Sequence, residues 1–442
     1  MNENQNLDQI LQHFSIDALN PMQQSMLEHF KHSSDIMLLS PTGSGKTLAY
    51  LLPLLKLIDK ESTHVQALIL VPSRELALQI ESVFKQMKTG LKVNCCYGGH
   101  DFKVEKNNLS SPPSVLIGTP GRIADHIGKG TFNTTALHTL IFDEFDKSLE
   151  FGFSKEMEYI VQHLPNVKSK ILISATQSID IPRYIKISEV RELNFLDKDS
   201  TSNTRLSVKL VLSEDVDKLE AFLKLLCSLD SNAPTIVFCN HREVVERISD
   251  HLNRKNIENA CFHGKLDQKE RERVLVKFTN GSVNVLITTD LASRGLDIRE
   301  VKNIIHYQQP HSEEVFIHRN GRTARMHASG SAFMILTQKE ERPAYLAEST
   351  EVLELSDKYS LPSPPLWVTL FISKGKKDAI NKTDIVGFLS KVGKLNRDEL
   401  GFVDVKDFFA YAAVKREKAD KVLKLAKDQK IKNRAVKINF AE

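Results

Sequence analysis

The sequence predicts an α/β protein with two doubly wound parallel sheets in tandem, followed by a small α+β domain. Short apolar runs alternate with helical stretches over residues 36–173, and the alternation restarts at residue 235, beyond a polar segment at 197–203. Strands that alternate with helices are typical of a parallel sheet. A proline-rich break at residues 362–365 then precedes a segment with the order β-α-β-α-β. Its predicted strands are residues 367–372, 408–414 and 435–440, its predicted helices are residues 382–391 and 418–428, and residues 400–405 leave room for another strand. We therefore expect three domains, at residues 1–198, 205–360 and 366–442.

The composition is that of a globular protein in water. Hydrophobic residues make up 41% of the 442 residues and charged residues 26%. No apolar run reaches the roughly 18 residues that a membrane span needs, and the polar N-terminal stretch lacks the regions of a secretory signal. The five cysteines show no Cys-x-x-Cys spacing, which favours free thiols over structural zinc. We expect a cytoplasmic protein that does not bind a membrane.

The net charge of +4 is unevenly distributed along the chain. Residues 366–442 contain 18 Lys and Arg against 10 Asp and Glu, so the remainder of the chain has an acidic surplus. A basic segment of this kind is typical of a domain that binds a polyanion. A solvated lysine-rich face has the same composition, and composition alone leaves both interpretations open.

Residues 40–47 predict a phosphate-binding loop, because an apolar strand precedes them and a helical pattern follows. Glycines let the backbone turn so that successive N–H groups face phosphate oxygens. Lys46 can reach the β and γ phosphates, and Thr47 can offer its hydroxyl to Mg²⁺. The alternative is an ordinary glycine-rich turn that caps a helix. The candidate nucleotide-binding residues here are Thr42, Gly43, Ser44, Gly45, Lys46 and Thr47.

Asp143 and Glu144 follow another apolar run, where a second element of a phosphate site is required. A carboxylate at the end of a strand can hold Mg²⁺ directly or through water, and its neighbour can orient or deprotonate a water. The alternative is a pair of exposed loop acids, the usual fate of an Asp-Glu dipeptide. The phosphate loop upstream favours the functional interpretation.

The second domain has no Gly-Lys-Thr loop, but it has two arginines one helical turn apart. Arg322 and Arg325 lie on one face of a predicted helix. Arginines that reach a γ-phosphate bound by another domain form an arginine-finger arrangement. The alternative is a surface helix with unpaired arginines.

These motifs, in this order, resemble the DEAD-box RNA helicase family. The matching stretches run from Gln23 to Gly330 and cover both large domains. The resemblance implies two RecA-like domains, ATP and Mg²⁺ as cofactors, and RNA as the partner. It assigns catalysis to Lys46, Asp143, Glu144, Arg322 and Arg325. It assigns contacts with the RNA backbone to Pro72, Arg74, Gly99, Thr119 and Arg122 in the first domain, and to Gln268, Arg271, Thr289 and Arg294 in the second.

Other roles follow from the same resemblance. Ser174, Thr176 and His318 match the elements that couple hydrolysis to RNA. His318 opens the stretch 318–325, which matches the family's His-Arg-x-Gly-Arg-x-x-Arg motif in full. Asp297 matches a contact with the nucleotide ribose, and Gln23 matches the segment that reads adenine. Two positions depart from the family pattern: Phe145 stands in place of Ala in Asp-Glu-Phe-Asp, and Ser40 replaces a small apolar residue.

The C-terminal segment resembles the domain of DbpA-type bacterial helicases that is similar to an RNA-recognition motif. In that subgroup the domain anchors the enzyme to a hairpin of large-subunit ribosomal RNA. Phe409 and Tyr411 are expected to alternate onto one strand face, as a base-stacking pair does. Asp407 occupies a position that prefers Lys or Arg, which argues against this binding mode. The alternative is that the two aromatic rings pack the core of the domain.

We therefore expect a monomeric, ATP-dependent RNA helicase that separates RNA strands locally, acting on structured ribosomal RNA in large-subunit assembly. The alternative is an RNA clamp or scaffold that uses ATP to lock onto RNA with little unwinding. The motif set disfavours a DNA translocase.

Overall fold

The structure is a computed structural model, and it describes residues 3–31, 35–41, 43–177, 180–187, 189–196, 206–214, 216–290, 301–323 and 329–441. Its contacts divide the chain into two compact units, which meet near residue 201 in the sequence. Four of the predicted site residues, Thr42, Arg294, Asp297 and Arg325, lie outside the described residues.

The first unit is built on a parallel sheet of seven strands, in the order β3-β4-β2-β5-β6-β1-β7. Its elements are α1 (Glu3–His13), α2 (Pro21–His29), β1 (Asp35–Leu39), α3 (Lys46–Leu57), β2 (Ala67–Leu70), α4 (Arg74–Gln86), β3 (Val93–Cys96), α5 (Phe102–Leu109), β4 (Val115–Gly118), α6 (Pro120–Gly128), β5 (Thr139–Phe142), α7 (Phe145–Glu150), α8 (Ser154–Gln162), β6 (Ser169–Ser174) and β7 (Arg191–Asn194).

Both faces of this sheet are covered, which explains why its strands read as continuous apolar runs. Along β1, Ile36 and Leu38 pack into one buried cluster. Met37 and Leu39 point the other way, into a second cluster. Because all the strands are parallel, their carboxyl ends share one edge. The predicted phosphate loop, acid pair and coupling motif each follow a strand at that edge.

The second unit contains another parallel sheet of seven strands, in the order β10-β11-β9-β12-β13-β8-β14. Its elements are β8 (Leu206–Ser213), α9 (Leu219–Ser228), β9 (Thr235–Phe238), α10 (Arg242–Arg254), β10 (Ala260–Phe262), α11 (Gln268–Thr279), β11 (Val285–Thr288), β12 (Asn303–His306), α12 (Glu313–Asn320), β13 (Gly330–Thr337) and β14 (Glu351–Val352). The two sheets confirm the predicted fold class of both large domains.

The same unit includes the C-terminal domain, residues 366–441. It is an antiparallel sheet of four strands, in the order β16-β17-β15-β20, with two helices over one face. Its elements are β15 (Trp367–Ile372), α13 (Lys382–Lys391), β16 (Leu400–Val405), β17 (Ala410–Lys415), α14 (Arg416–Ala426), β18 (Lys430–Ile431), β19 (Arg434–Ala435) and β20 (Ile438–Phe440). This confirms the predicted α+β class. The strand that we expected from residue 408 begins at Ala410, so Phe408 lies in the preceding loop.

The other face of the C-terminal sheet packs against the parallel-sheet part of the second unit. Tyr411 and Ala441 form a buried cluster with Val276 of α11, and Phe371 and Phe409 pack beside it. Next to this cluster, the Asn280 amide donates a hydrogen bond of 2.9 Å to the Thr369 hydroxyl. That hydroxyl in turn donates a 2.8 Å hydrogen bond to the Ser282 hydroxyl. A mixed apolar and polar interface therefore holds the C-terminal domain in place.

Among the described residues, no helix is long and apolar enough to cross a lipid bilayer.

Candidate functional site

The phosphate loop has the backbone that its glycines predict. Gly43 and Gly45 have φ angles of 80° and 88°, in the left-handed region that an L side chain rarely adopts. Gly45 is the N-cap of α3, so the N–H groups of the first turn of this helix open into the loop. The Lys46 ammonium donates a hydrogen bond of 2.8 Å to the Ser40 carbonyl. The loop thus places a helix N-terminus and a cation together, as phosphate binding requires.

Ser40, which departs from the family pattern, is buried and has a defined partner. Its hydroxyl lies 2.7 Å from the Ser44 hydroxyl, and Ser44 also donates a 2.8 Å hydrogen bond to the Pro41 carbonyl. The serine therefore braces the loop from its amino-terminal side.

Gln23 braces the same loop from outside. Asn20 and Gln23 form a reciprocal capping box at the start of α2. The Asn20 amide donates a 2.9 Å hydrogen bond to the Ser44 carbonyl, and the Gln23 amide donates one of 3.3 Å to the Gly45 carbonyl. A Cβ on Gly45 would stand 2.7 Å from the Gln23 amide nitrogen, which is a second reason for glycine there. The adenine-reading role of Gln23 stays a prediction.

Asp143 directly follows β5 and is a buried carboxylate, 3% exposed. One oxygen accepts a 2.9 Å hydrogen bond from the Glu144 N–H, and the other accepts a 2.9 Å hydrogen bond from the Tyr50 hydroxyl of α3. Burial raises the pKa of Asp143, whereas the positive charge of Lys46 and these two hydrogen bonds lower it. Tyr50 has no counterpart in the sequence prediction, because its partner lies 93 residues away along the chain.

Glu144 has a left-handed backbone, with φ 49° and ψ 52°, at the N-cap of α7. This conformation costs a non-glycine residue about 1–3 kcal/mol and is concentrated at functional sites. The next residue, Phe145, is fully buried and makes an edge-on contact with Phe142, with ring centroids 5.5 Å apart. The large ring that replaces alanine thus packs into the buried cluster that also contains Phe142.

The predicted coupling motif lies directly beside the phosphate loop. Ser174 is the last residue of β6 and pairs with Leu39 of β1, and its carbonyl accepts a 3.0 Å hydrogen bond from the Ser40 N–H. Its hydroxyl accepts a 2.9 Å hydrogen bond from the Thr176 N–H, which closes a tight turn. A displacement of this turn would therefore be transmitted to the phosphate loop through the hydrogen bond between Ser174 and Ser40.

The predicted RNA-contact residues of the first unit converge on one part of the same edge. Gly99 has φ 87°, and a Cβ there would stand 2.7 Å from a guanidinium nitrogen of Arg74. Arg122 donates a 2.9 Å hydrogen bond to the His100 carbonyl, in the loop that contains Gly99. Thr119 is the N-cap of α6 and makes no side-chain capping bond. Pro72, which precedes α4, is buried.

A buried glutamate that the sequence did not single out joins these segments. Glu105 of α5 is 1% exposed, and its carboxylate accepts hydrogen bonds from the Tyr97 N–H at 3.0 Å and from His126 Nε2 at 2.9 Å. Arg122 lies 3.3 Å from the same carboxylate. Cys96 also lies close enough to make the group resemble a metal site. Because the Arg122 guanidinium already neutralises the carboxylate, we interpret the group as an ion-paired hub.

In the second unit, Arg319 plays a similar part. It is fully buried on α12, and it binds Asp290 through two hydrogen bonds of 2.6 and 3.1 Å. Its other nitrogens donate to the Gln308 carbonyl at 3.0 Å and to the Asn240 side chain at 2.8 Å. One side chain thus ties together the segments that follow β9, β11 and β12. The sequence showed it only as the second residue of the His-Arg motif.

The remaining predicted residues of the second unit lie on or beside these elements. His318 is buried in the last turn of α12. Arg322 is also buried, but it lies in the turn after Asn320, where the helix ends, so the prediction that it lies on a helix face is wrong. Arg271 is buried on α11 and donates a 2.6 Å hydrogen bond to the Gly264 carbonyl. Gln268 begins α11 and donates a 3.0 Å hydrogen bond to Glu272, and Thr289 follows β11. Their roles toward RNA and phosphate stay predictions.

The base-stacking role predicted for Phe409 and Tyr411 of the C-terminal domain stays a prediction, and the burial of Tyr411 argues against it. Phe409 and Tyr411 do share a face, with ring centroids 5.4 Å apart. Tyr411, however, is only 5% exposed, because this face is covered by Val276 of α11. Neither ring belongs to the buried core of its own domain. They form the interface within the second unit.

The fold and the phosphate loop define the first unit as a P-loop nucleotide-binding domain. Its parallel sheet carries an acidic pair on a strand that lies two places from the loop strand in the sheet. The chain belongs to the DEAD/DEAH box helicase family, whose model matches residues 20–183. The helicase conserved C-terminal domain matches residues 217–327, and the DbpA RNA binding domain matches residues 369–440.

Individual relatives agree with this family. The chain is 31% identical to the ATP-dependent RNA helicase DbpA of Escherichia coli (strain K12), over 96% of this chain and 94% of that one. It is 29% identical to DbpA of Bacillus subtilis (strain 168), over 95% and 94%. Among solved structures, Mss116p bound to ssRNA and AMP-PNP is similar at a TM-score of 0.69 and 26% identity, over 80% of this chain and 78% of that one.

Proposed function

We propose that this ATP-dependent RNA helicase acts on structured ribosomal RNA during assembly of the large subunit. The observation that carries the proposal is the C-terminal domain. It matches the DbpA RNA binding domain, has a surplus of Lys and Arg, and is fixed to the second parallel sheet. An RNA held there lies at a set distance from α11, on which two RNA contacts are proposed. Target choice and part of the contact with the RNA backbone therefore fall to one unit.

ATP is bound by the phosphate loop in this proposal. Lys46 and the N–H groups at the start of α3 contact the β and γ phosphates. The Thr47 hydroxyl and the Asp143 carboxylate are hard oxygen ligands, and they fit Mg²⁺, which would neutralise phosphate charge there. Glu144 orients the attacking water and takes its proton. Burial raises the pKa of Asp143, and the positive charge of Lys46 and the Tyr50 hydroxyl limit this rise, which favours the ionised form that the task requires.

RNA is held by its backbone, through the converging residues Arg74, Gly99 and Thr119 in the first unit and Gln268 and Arg271 in the second. Contacts with phosphate and sugar position a nucleic acid without reading its sequence. Arg322 and Arg325 stabilise the charge that develops on the γ-phosphate when both ligands are bound. Ser174 and Thr176 link the two events, because Ser174 is bonded to the phosphate loop.

Paired ATPase and strand-displacement assays test the proposal. We expect Mg²⁺-dependent hydrolysis that large-subunit ribosomal RNA stimulates more than scrambled RNA of equal length. Lys46→Ala should weaken ATP binding. Glu144→Gln should bind ATP normally and lose at least about 100-fold in turnover, since it removes the water-handling group and leaves the ligands of the nucleotide in place.

Two results would count against the proposal. Equal stimulation by ribosomal and scrambled RNA contradicts the choice of target. RNA-dependent hydrolysis without strand displacement contradicts the helicase role and identifies an RNA clamp.

A further inference from the structure

The C-terminal domain has an exposed aromatic ring that its fold does not use. Phe408 lies in the loop between β16 and β17 and is 68% exposed. Its neighbours Phe409 and Tyr411 pack at the interface with α11. Phe408 belongs neither to that interface cluster nor to the buried core of its own domain. An exposed ring of this kind in an RNA-binding domain requires an explanation outside its own packing.

The loop that carries Phe408 is held firmly by the segment between β15 and α13. The Lys376 N–H donates a 2.9 Å hydrogen bond to the Lys406 carbonyl, and the Lys377 N–H donates one of 2.8 Å to the Asp407 carbonyl. Gly375 makes this approach possible, because a Cβ there would stand 2.2 Å from the Lys406 carbonyl. The ring and the two lysines are thus presented together on a fixed backbone.

Around this loop, some charged side chains form ion pairs and others do not. Asp378 is paired with Lys374 at 3.0 Å, and Asp404 is paired with Lys406 at 2.9 Å. The side chains of Lys376 and Lys377 are exposed and make no ion pair within the described residues. Asp407 is the one nearby carboxylate without a cation among those residues. Lys376 and Lys377 are therefore available for an anion, and their backbone is bonded to the two residues that directly precede Phe408.

We propose that Phe408, Lys376 and Lys377 form a binding site for an unpaired nucleotide of folded RNA. The base stacks on the Phe408 ring, and the neighbouring phosphates contact the two ammonium groups. A fully paired duplex offers no free base face, so the site selects loops, bulges and overhangs. This inference rests on the proposed function, and it replaces the base-stacking pair that the sequence indicated.

Equilibrium binding of the full-length protein to two labelled RNAs tests the site. One RNA is a stem–loop of large-subunit ribosomal RNA, and the other is a fully paired duplex of the same length. Phe408→Ala should weaken binding of the stem–loop by about 5- to 100-fold, the range for the loss of one stacked base. It should leave binding of the duplex, and the dependence of stem–loop binding on salt, unchanged.

The double variant Lys376→Ala/Lys377→Ala should have a different signature. If each lysine contacts one phosphate, the slope of log K against log salt for the stem–loop should fall by about 1.4. Two controls match these changes. Phe402→Ala removes another exposed ring of the domain, 47% exposed on β16, and Lys391→Ala/Lys394→Ala removes two other lysines that are exposed on the same domain. Both controls should bind the stem–loop within about twofold of the parent.

The outcomes are separable. Stem–loop binding by Phe408→Ala that equals the parent, or that falls no further than in Phe402→Ala, overturns the site and leaves the ring to a protein partner. A parent that binds the stem–loop and the duplex equally overturns the proposed RNA targeting itself, and this site with it.

Discussion

At the scale of single residues, the state of the Asp143 carboxylate depends on its neighbours. Burial raises its pKa, and Lys46 and the Tyr50 hydroxyl lower it. A carboxylate can hold a divalent cation only when it is ionised. Tyr50 therefore extends the pH range in which the proposed Mg²⁺ ligand is available, although it touches no substrate in the proposed mechanism.

Tyr50→Phe should move the acid limb of the ATPase pH profile to higher pH. Loss of a hydrogen bond to a charged group is worth about 1.5 kcal/mol, which corresponds to about one pH unit. The sign follows from the direction of the lost effect: without the hydroxyl, the pKa of Asp143 rises, so protonation begins at higher pH. The measurement is kcat/KM for ATP between pH 5 and 8.

Tyr345→Phe is the matched control, because its hydroxyl donates a 2.8 Å hydrogen bond to the Pro310 carbonyl of the second unit. Its profile should coincide with that of the parent. An unchanged acid limb in Tyr50→Phe would show that this hydroxyl does not influence the titration of Asp143.

The residue scale also shows what local sequence can reveal. The phosphate loop was predictable because its glycines, Lys46 and Thr47 are consecutive, and each has a chemical reason to stand where it does. Tyr50 and Glu105 gave no signal, because their partners are brought together only by the sheet. Arg319 lay within a recognised motif, but the three segments that it joins are distant in sequence.

At the scale of elements, α5 and α6 are joined by one carboxylate. Glu105 contacts Tyr97 at the end of β3 and both Arg122 and His126 on α6. The predicted RNA contacts Gly99 and Arg122 lie on the segments that it connects. We infer that Glu105 positions this surface and does not itself touch RNA.

Glu105→Gln should raise the RNA concentration that half-maximally stimulates ATP hydrolysis by about 10-fold, and it should leave hydrolysis without RNA unchanged. The physical reason for this weaker response to RNA is the loss of the buried charge pair between Glu105 and Arg122. Without that pair, the loop after β3 is no longer held against α6. The double variant with Arg122→Ala should bind RNA no more weakly than Arg122→Ala alone, since both changes break the same contact.

Gln66→Leu serves as the stability control for this experiment. Gln66 is 3% exposed and is bonded to the backbone of Asp59 at 2.7 and 2.8 Å, just before β2. It should lower the melting temperature without changing the RNA requirement. If Glu105→Gln behaves like Gln66→Leu, the hub is structural only.

The elements of the C-terminal domain show where sequence reasoning reaches its limit. The limits of β15 and α13 were predicted to the residue, and the strand at residues 400–405 was anticipated. Alternation in β17 also placed Phe409 and Tyr411 on one face, as found. The alternation cannot show what covers that face, because Val276 is contributed by α11, more than a hundred residues earlier. Because Val276 buries Tyr411, we propose Phe408 as the residue that stacks on a base.

At the scale of the whole molecule, the docking of the C-terminal domain on the second parallel sheet has a functional meaning. A domain on a free linker would raise the local concentration of RNA without orienting it. A domain that is fixed through Val276, Tyr411 and a buried polar cluster presents its RNA in one direction. Target binding and ATPase stimulation should then be separable by loosening the interface alone.

Thr369→Val is the variant that makes this separation. Thr369 is 3% exposed, and its hydroxyl joins Asn280 to Ser282 across the interface, so removal of the hydroxyl leaves two buried polar groups without their shared partner. Such a loss costs about 1–3 kcal/mol, enough to weaken docking. We expect the affinity for the preferred RNA to be retained, while its advantage over scrambled RNA in stimulating ATP hydrolysis falls several-fold.

Thr235→Val is the control, because Thr235 is equally buried and its hydroxyl lies 3.2 Å from the Asn303 amide within the parallel sheet. If Thr369→Val loses affinity and stimulation together, or if Thr235→Val gives the same uncoupling, the fixed orientation of the C-terminal domain is not what links RNA choice to hydrolysis.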